Sequence, residues 1–297
     1  MTRVEGSIDV TPVKQHADDN LRVLVLGARG FIGDALVEFL SSLPSIDVRS
    51  DRHSRIDYAH DDPPTLDGVN VVVNAVGRAH VYSDLIEPLY TSNVLAARRI
   101  ASASASAGVQ HLVLLSSLAA EDDTDQLTPS GVYGLTKRLG ELETLRACAS
   151  GKTRVTIVRP AGVYSGDAPG GWGQVWRRVI SRRIVISPKQ GPGRPVVSLE
   201  ALLDSLALVI SGDRSAPLLR VTDPTLHTIS SFATKVADQH ALRPRVVTLP
   251  GPLERLAAAL LPRTISWVSR LLRLLSTATD FIGQPEANAS PAPEATD

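Results

Sequence analysis

The chain has 297 residues, 43% of them hydrophobic and 21% charged, and its 31 basic residues are matched by 31 acidic ones. That length suits one generous α/β domain or a main domain with a small lobe, and the absence of net charge argues against a nucleic-acid partner. One cysteine, Cys148, excludes an internal disulfide and a cysteine-built metal site; no metal site is expected, and the helical pattern around Cys148 points to core packing.

Residues 1–20 are polar, without the apolar run of a secretory signal, and are read as a flexible segment. No stretch approaches the roughly 18 uninterrupted apolar residues of a membrane span, so no transmembrane segment is expected and the expected location is cytoplasmic. Leu21–Leu26 is a short apolar run followed at once by glycines and then by Ile32, Ala35, Leu36, Phe39 and Leu40 at helical spacing, which reads as strand, turn, helix. The alternation continues with strands at Ile46–Ser50 and 69–75, a helix over 89–107, a strand at His111–Leu115, a helix over 132–148 and a strand at 154–159. Strands separated by helical segments require right-handed crossovers, so the expected fold class is α/β, a Rossmann-type doubly wound parallel sheet occupying residues 21–165.

Beyond residue 160 glycine and proline become dense, from Gly162 through Pro195, and mark a change of architecture. A small carboxyl-terminal substrate lobe is expected over 166–280, with helices at 200–210 and 254–275, some returning to the main domain, and a strand at Leu218–Val221. Residues 281–297, rich in Ala, Pro, Glu and Asn without periodicity, are expected to be disordered.

Gly27, Gly30 and Gly33 follow a G-x-x-G-x-x-G spacing between a strand and a helix. Such glycines permit a tight turn, close approach of backbone to a pyrophosphate, and close helix–strand packing, while the helix N-terminus offers N–H groups to phosphate. Arg29, Phe31 and Ile32, which lie between them, are counted with the glycines as cofactor-binding. Asp51, 24 residues past Gly27, is placed to hydrogen-bond the adenosine ribose of NAD; Arg52, with Arg49 and Arg55 near, is the alternative partner for the 2′-phosphate of NADP. Asp57, read as following a short third strand, is a candidate for the adenine edge.

Tyr133 and Lys137 stand at i and i+4, on one face of a helix. With five tyrosines and five lysines, roughly 0.1 such pairs are expected by chance. A phenol titrates near pH 10, so work near neutrality needs about 4 kcal/mol of help, the size of one positive charge about 4 Å away at an effective dielectric of about 20. Lys137 is expected to supply it. Ser117, at the carboxyl end of His111–Leu115, lies where open α/β sheets bind ligands and is placed to hydrogen-bond the same substrate oxygen.

Together LGARGFIG, NAVGRAHV, Asn93 in TSNVLAARRI, LLSS ending at Ser117, YGLTK and VRPAGVYSG resemble the extended short-chain dehydrogenase/reductase family, in its nucleotide-sugar epimerase, dehydratase and reductase branch, over roughly residues 21–210. The resemblance implies Ser117, Tyr133 and Lys137 as catalytic residues supported by Asn93. It also implies Asn74, Ala75 and Val76 beneath NAD or NADP, and Pro160 to Val163 beside the nicotinamide. It implies a nucleotide-sugar substrate approached by His80 and Arg194, and a homodimer. The implied activity is that of an epimerase or a 4-ketosugar reductase. Ser117 is followed by Leu-Ala-Ala rather than by an acid–base pair, which argues against dehydration, and Glu121 and Asp122 come late for that role. The rival readings are a catalytically silent nucleotide-binding protein and attachment of the leucine- and arginine-striped 254–275 helix to an anionic membrane surface.

Overall fold

The structure is a computed structural model and describes residues 20–79, 86–121, 129–165, 184–188, 193–239 and 245–249. Six strands form one parallel sheet: β1 (Leu21–Leu26), β2 (Ile46–Ser50), β3 (Val71–Asn74), β4 (His111–Leu115), β5 (Arg154–Pro160) and a last member, Leu218–Val221. In chain order that last strand is β9, because short strands β6 (Gly162–Tyr164), β7 (Ile184–Pro188) and β8 (Val196–Ser198) intervene; β10 is Arg245–Leu249. The order is β2-β1-β3-β4-β5-β9, the doubly wound arrangement expected from the sequence, in which the chain reverses direction across the sheet between β1 and β3.

The period of two along β1 explains why both sheet faces need covering. Val23 and Val25 join one cluster with Leu36, Val37 and Leu40 of α1 (Phe31–Ser41) and Leu202, Leu206, Val209 and Ile210 of α5 (Leu199–Ser211). Leu24 and Leu26 join the other, with Ala96, Ile100 and Ala101 of α3 (Ala96–Ser106) and with Cys148 at the end of α4 (Pro129–Cys148). Cys148 is thus a buried packing residue and a free thiol. Each fully buried Leu or Ile in these layers contributes about 1.5–3 kcal/mol of transfer free energy.

Several elements differ from their sequence reading. The run at 69–75 is extended only over Val71–Asn74, because Val69 closes a turn on Leu66 at its start and at its end Ala75 bends into the glycine loop by donating to Leu26 O (2.9 Å). The helix expected over 89–107 begins earlier, as α2 (Glu87–Tyr90), passes through a π-helical turn at Thr91–Leu95 and continues as α3. No strand precedes Asp57: residues 51–70 form turns and irregular chain. β6, β7, β8, β10 and α6 (Ile229–Gln239) were not expected; β6 and β8 are three residues each, too short for a periodic signal.

Two compact units are distinguished, the described residues within Met1–Arg177 and Pro195–Leu226 forming the first and those within Arg178–Arg194 and His227–Asp297 the second. The second contains the parallel pair β7–β10 and α6. The expected flexible start, the 254–275 helix and the 281–297 tail lie outside the described residues, apart from residue 20. Among the described residues no helix is long and apolar enough to cross a membrane, and no group of three His, Cys, Asp or Glu side chains is placed to hold a metal ion.

Candidate active site

The glycine turn joins β1 to α1 at the carboxyl end of the sheet. Gly27 has φ +80°, and a Cβ there would come within 2.6 Å of the Ala75 main chain, so this position requires glycine on both counts. Gly30 caps α1, whose first turn, Phe31, Ile32 and Gly33, presents N–H groups that the helix itself leaves without partners. Asp51, 6% exposed, closes the turn from below: its carboxylate accepts the Gly27 and Ala28 amides, each at 2.8 Å, and the Tyr58 hydroxyl at 2.8 Å. Burial and the Asp51 carboxylate together push the Tyr58 phenol far above its ordinary range, so it remains a donor. Tyr58 was not anticipated, since nothing in its local sequence connects it to Asp51.

Arg52 lies beside Asp51 but is taken up by α1, donating to Asp34 and to Glu38 (3.0 Å). Arg29, Arg49 and Arg55 are exposed. Asp57 is exposed too and serves its own turn, accepting from the Ala59 amide and pairing with His60 (3.0 Å), which holds its carboxyl below the usual range. At the end of β3, Asn74 is buried and accepts the Val76 amide at 3.0 Å, which orients the Ala75–Val76 main chain against the glycine turn.

The second group of residues is organised by α4. Tyr133 is hydrogen-bonded to Ser117, which opens the 3-10 turn Leu118–Glu121 after β4. Lys137, 8% exposed, donates to Leu115 O at 2.7 Å. The helix can lie this close because residue 134 is glycine: a Cβ there would sit 2.1 Å from Ala119 O. The electrostatics differ from the simple sequence expectation. Burial raises the Tyr133 phenol, and the Ser117 hydroxyl, not Lys137, is the influence pulling it down. Lys137 is itself pushed down to about 8 by burial, partly offset by the negative charge of Glu141.

Asn93 sits in the π-helical turn, 3% exposed, and its side chain is turned to the loop after β3: Oδ1 accepts the Arg78 amide (2.8 Å), and Nδ2 donates to Arg78 O (3.2 Å) and Thr136 Oγ1 (3.0 Å). It therefore pins that loop to α4 rather than reaching Ser117 or Tyr133. A π-helical turn of this kind is commonly found at functional sites. Pro160 ends β5 and is buried, while Val163 lies in β6, paired with Val197. His80 lies outside the described residues. Arg194 belongs to the second unit, where its main chain exchanges hydrogen bonds with His227 (2.8 and 2.9 Å); burial lowers the pKa of its guanidinium.

A charged network next to Ser117 also escaped the sequence reading. Glu141, 3% exposed, accepts Ser116 Oγ and takes Arg159 Nε (2.9 Å) and Nη2 (2.5 Å); Arg159 Nη1 reaches Glu121 (3.0 Å), which also accepts Arg220 Nε (2.6 Å). The spacing of 133, 137 and 141 on one helical stripe was available in the sequence; the partners from β5, β9 and the 3-10 turn were not.

The sheet order with a glycine turn at its crossover defines a Rossmann-type protein. Residues 23–185 match the NAD dependent epimerase/dehydratase family, more than half of the chain, and the chain belongs to that family. The same fold occurs in solved structures of proteins described with nucleotide sugars. MoeE5, solved with UDP-glucose and NAD, is 23% identical over 77% of this chain and 85% of its own, with a TM-score of 0.60. The UDP-glucuronic acid 4-epimerase of Bacillus cereus, solved with NAD, is 14% identical over 76% and 87% at 0.62. The dTDP-4-dehydrorhamnose reductase of Bacillus anthracis, solved with NADP, is 17% identical over 78% and 85% at 0.62. No curated protein sequence matches the chain.

Proposed function

We propose that the protein is a nucleotide-sugar epimerase or 4-ketosugar reductase that uses NAD or NADP and a Ser117–Tyr133–Lys137 site. The observation that carries this reading is the meeting of α4 with the end of β4: Lys137, buried one turn after Tyr133, donates to Leu115 O at 2.7 Å, and Tyr133 interacts with Ser117. The glycine turn suits a dinucleotide: α1 presents its first-turn amides at the carboxyl end of the sheet, and Asp51 holds the Gly27 and Ala28 amides of the turn. Gly27, Arg29, Gly30, Phe31, Ile32 and Gly33 would hold the pyrophosphate, Asp51 the ribose, and Asn74 to Val76, Pro160 and Val163 the remaining faces. A bound nicotinamide supplies the hydride acceptor or donor.

In this reading Tyr133 moves the proton: it takes one from a sugar hydroxyl during oxidation and returns one to the ketone oxygen during reduction. Ser117 holds the same oxygen by hydrogen bond. The Ser117 hydroxyl opposes the burial that raises Tyr133, and Lys137, one turn further on, ties α4 to the end of β4 through Leu115 O (2.7 Å). Asn93 acts on the site by fixing the Gly77–Arg78 main chain and Thr136. Arg194 and His80, as the resemblance implies, are assigned to the anionic nucleotide sugar. The homodimer implied by the resemblance would use α4, where Leu135, Leu142 and Leu145 are exposed; sedimentation equilibrium at monomer mass would exclude it.

The test is to incubate the purified protein with NAD or NADPH and UDP- or dTDP-linked hexoses and their 4-keto derivatives, and to separate the products chromatographically. Tyr133→Phe should lower turnover at least about 100-fold, the usual weight of a positioned acid–base, while nucleotide binding persists. Undiminished turnover in that variant, or no binding of either nucleotide by the parent protein, would overturn the assignment.

A further inference from the structure

Tyr133, Lys137 and Glu141 form one stripe on α4, and that stripe meets three consecutive residues at the end of β4. Tyr133 is hydrogen-bonded to Ser117, Lys137 donates to Leu115 O, and Glu141 accepts Ser116 Oγ. The first two contacts belong to the proposed acid–base pair. The third involves a residue with no assigned role, and it is the most heavily engaged of the three: the Glu141 carboxylate also receives two nitrogens of Arg159, and it is 3% exposed.

A buried ion pair is a poor device for stability alone, because an apolar pair of similar volume often does as well. This one stands where its geometry has two consequences. Ser116 is the residue between Leu115 and Ser117, so a carboxylate gripping its side chain fixes the strand end that presents Ser117. Glu141 also follows Lys137 by one helical turn, the spacing at which side chains on a helix are neighbours. We propose that Glu141 is a positioning residue for the Ser117–Tyr133–Lys137 site, holding the end of β4 through Ser116 and supplying the negative charge that faces the Lys137 ammonium. The proposal rests on the catalytic reading given above.

The surroundings of Lys137 support that charge assignment. From α4 it faces Tyr133 and Glu141; from β4, Leu115 O and the neighbourhood of Ser117; from the π-helical turn and the loop after β3, the amide of Asn93 and the Gly77 main chain, all uncharged. Arg159 of β5 pairs with Glu141, and Glu121 is shared between Arg159 and Arg220. Burial draws the Lys137 amine down to about 8, and Glu141 is the charge that opposes it.

The chain has five lysines, Lys14, Lys137, Lys152, Lys189 and Lys235, so side-chain 15N-labelled lysine can be followed by NMR and the Lys137 signal assigned from its loss in Lys137→Met. In the parent protein it should titrate near pH 8. Glu141→Gln keeps an oxygen for Ser116 and removes the charge. A unit charge about 6 Å away at an effective dielectric of about 20 is worth about two pH units, so with half of it cancelled by Arg159 the midpoint should fall by about one. The high-pH limb of the turnover profile should move down with it. Arg159→Met, which leaves Glu141 without its cation, should shift the midpoint the opposite way and serves if the first variant does not fold. Parental titration in Glu141→Gln, or an unchanged or lowered midpoint in Arg159→Met, would overturn the proposal. Because the titration is read without substrate, its failure is separable from a failure of Tyr133→Phe to abolish turnover.

Discussion

Replacing Lys137 with methionine should make the folded protein more stable at neutral pH while disabling it. Burial lowers the amine from 10.5 to about 8. At about 1.4 kcal/mol per pH unit, keeping the ammonium charged inside the fold therefore costs about 3 kcal/mol at pH 7. Methionine fills a similar volume without that cost, but leaves Leu115 O without the hydrogen bond now made at 2.7 Å, a loss of about 1–2 kcal/mol. The net expectation is a gain of about 1–2 kcal/mol, or a few degrees in Tm. The sign with pH follows from the lowered value. Between about 8 and 10.5 the unfolded chain binds the proton that the folded one has released, so the parent gains stability as pH rises through that window. Urea unfolding of both proteins at pH 7 and pH 10 checks this. The advantage of the variant should be largest at pH 7 and should mostly disappear by pH 10. A variant less stable than the parent at pH 7, or a difference that does not change with pH, would refute the account of Lys137 as a charge held at a cost.

Gly134→Ala should destabilise the fold by about 1–3 kcal/mol, the usual cost of overpacking, because its Cβ would meet Ala119 O at 2.1 Å and force α4 away from the turn carrying Ser117; urea unfolding and turnover should both report it. Asp51→Ala strips the acceptor from two amides of the glycine turn and from the Tyr58 hydroxyl, so isothermal titration should register loss of nucleotide binding. Tyr58→Phe, which leaves those two amides satisfied, should cost only about 1 kcal/mol of stability and little affinity. Equal effects of the two substitutions on binding would show that Asp51 acts through Tyr58 instead.

Local patterns carried the reading of the sheet a long way. Val23 and Val25 alternating with Leu24 and Leu26, then glycines, then a helical stripe, are short-range features, and short-range geometry is what a sequence displays directly. Tyr133 and Lys137 were legible for the same reason, since a helix alone places i and i+4 on one face. The reading weakened wherever a side chain found its partner across the fold. Arg52 was read as an alternative partner for a 2′-phosphate, and only the fold shows that α1 brings Asp34 and Glu38 to it. Asn93 was expected to support the site; its partners, Arg78 and Thr136, come from the loop after β3 and from α4, and the π-helical turn that carries it is announced by no hydrophobic period.

The sequence by itself determined the strands of the main sheet, the place of the glycine turn and the shared helical face of Tyr133 and Lys137. All of these depend on residues within a few positions of one another. Only the tertiary structure decided what that helical face meets, because Leu115 ends β4, Ser116 and Ser117 follow it, Glu121 closes the 3-10 turn after them and Arg159 comes from β5. It also decided the electrostatics, since the titration of Tyr133 and Lys137 is governed by desolvation, and a buried environment exists only once the sheet and its helices have closed around those groups.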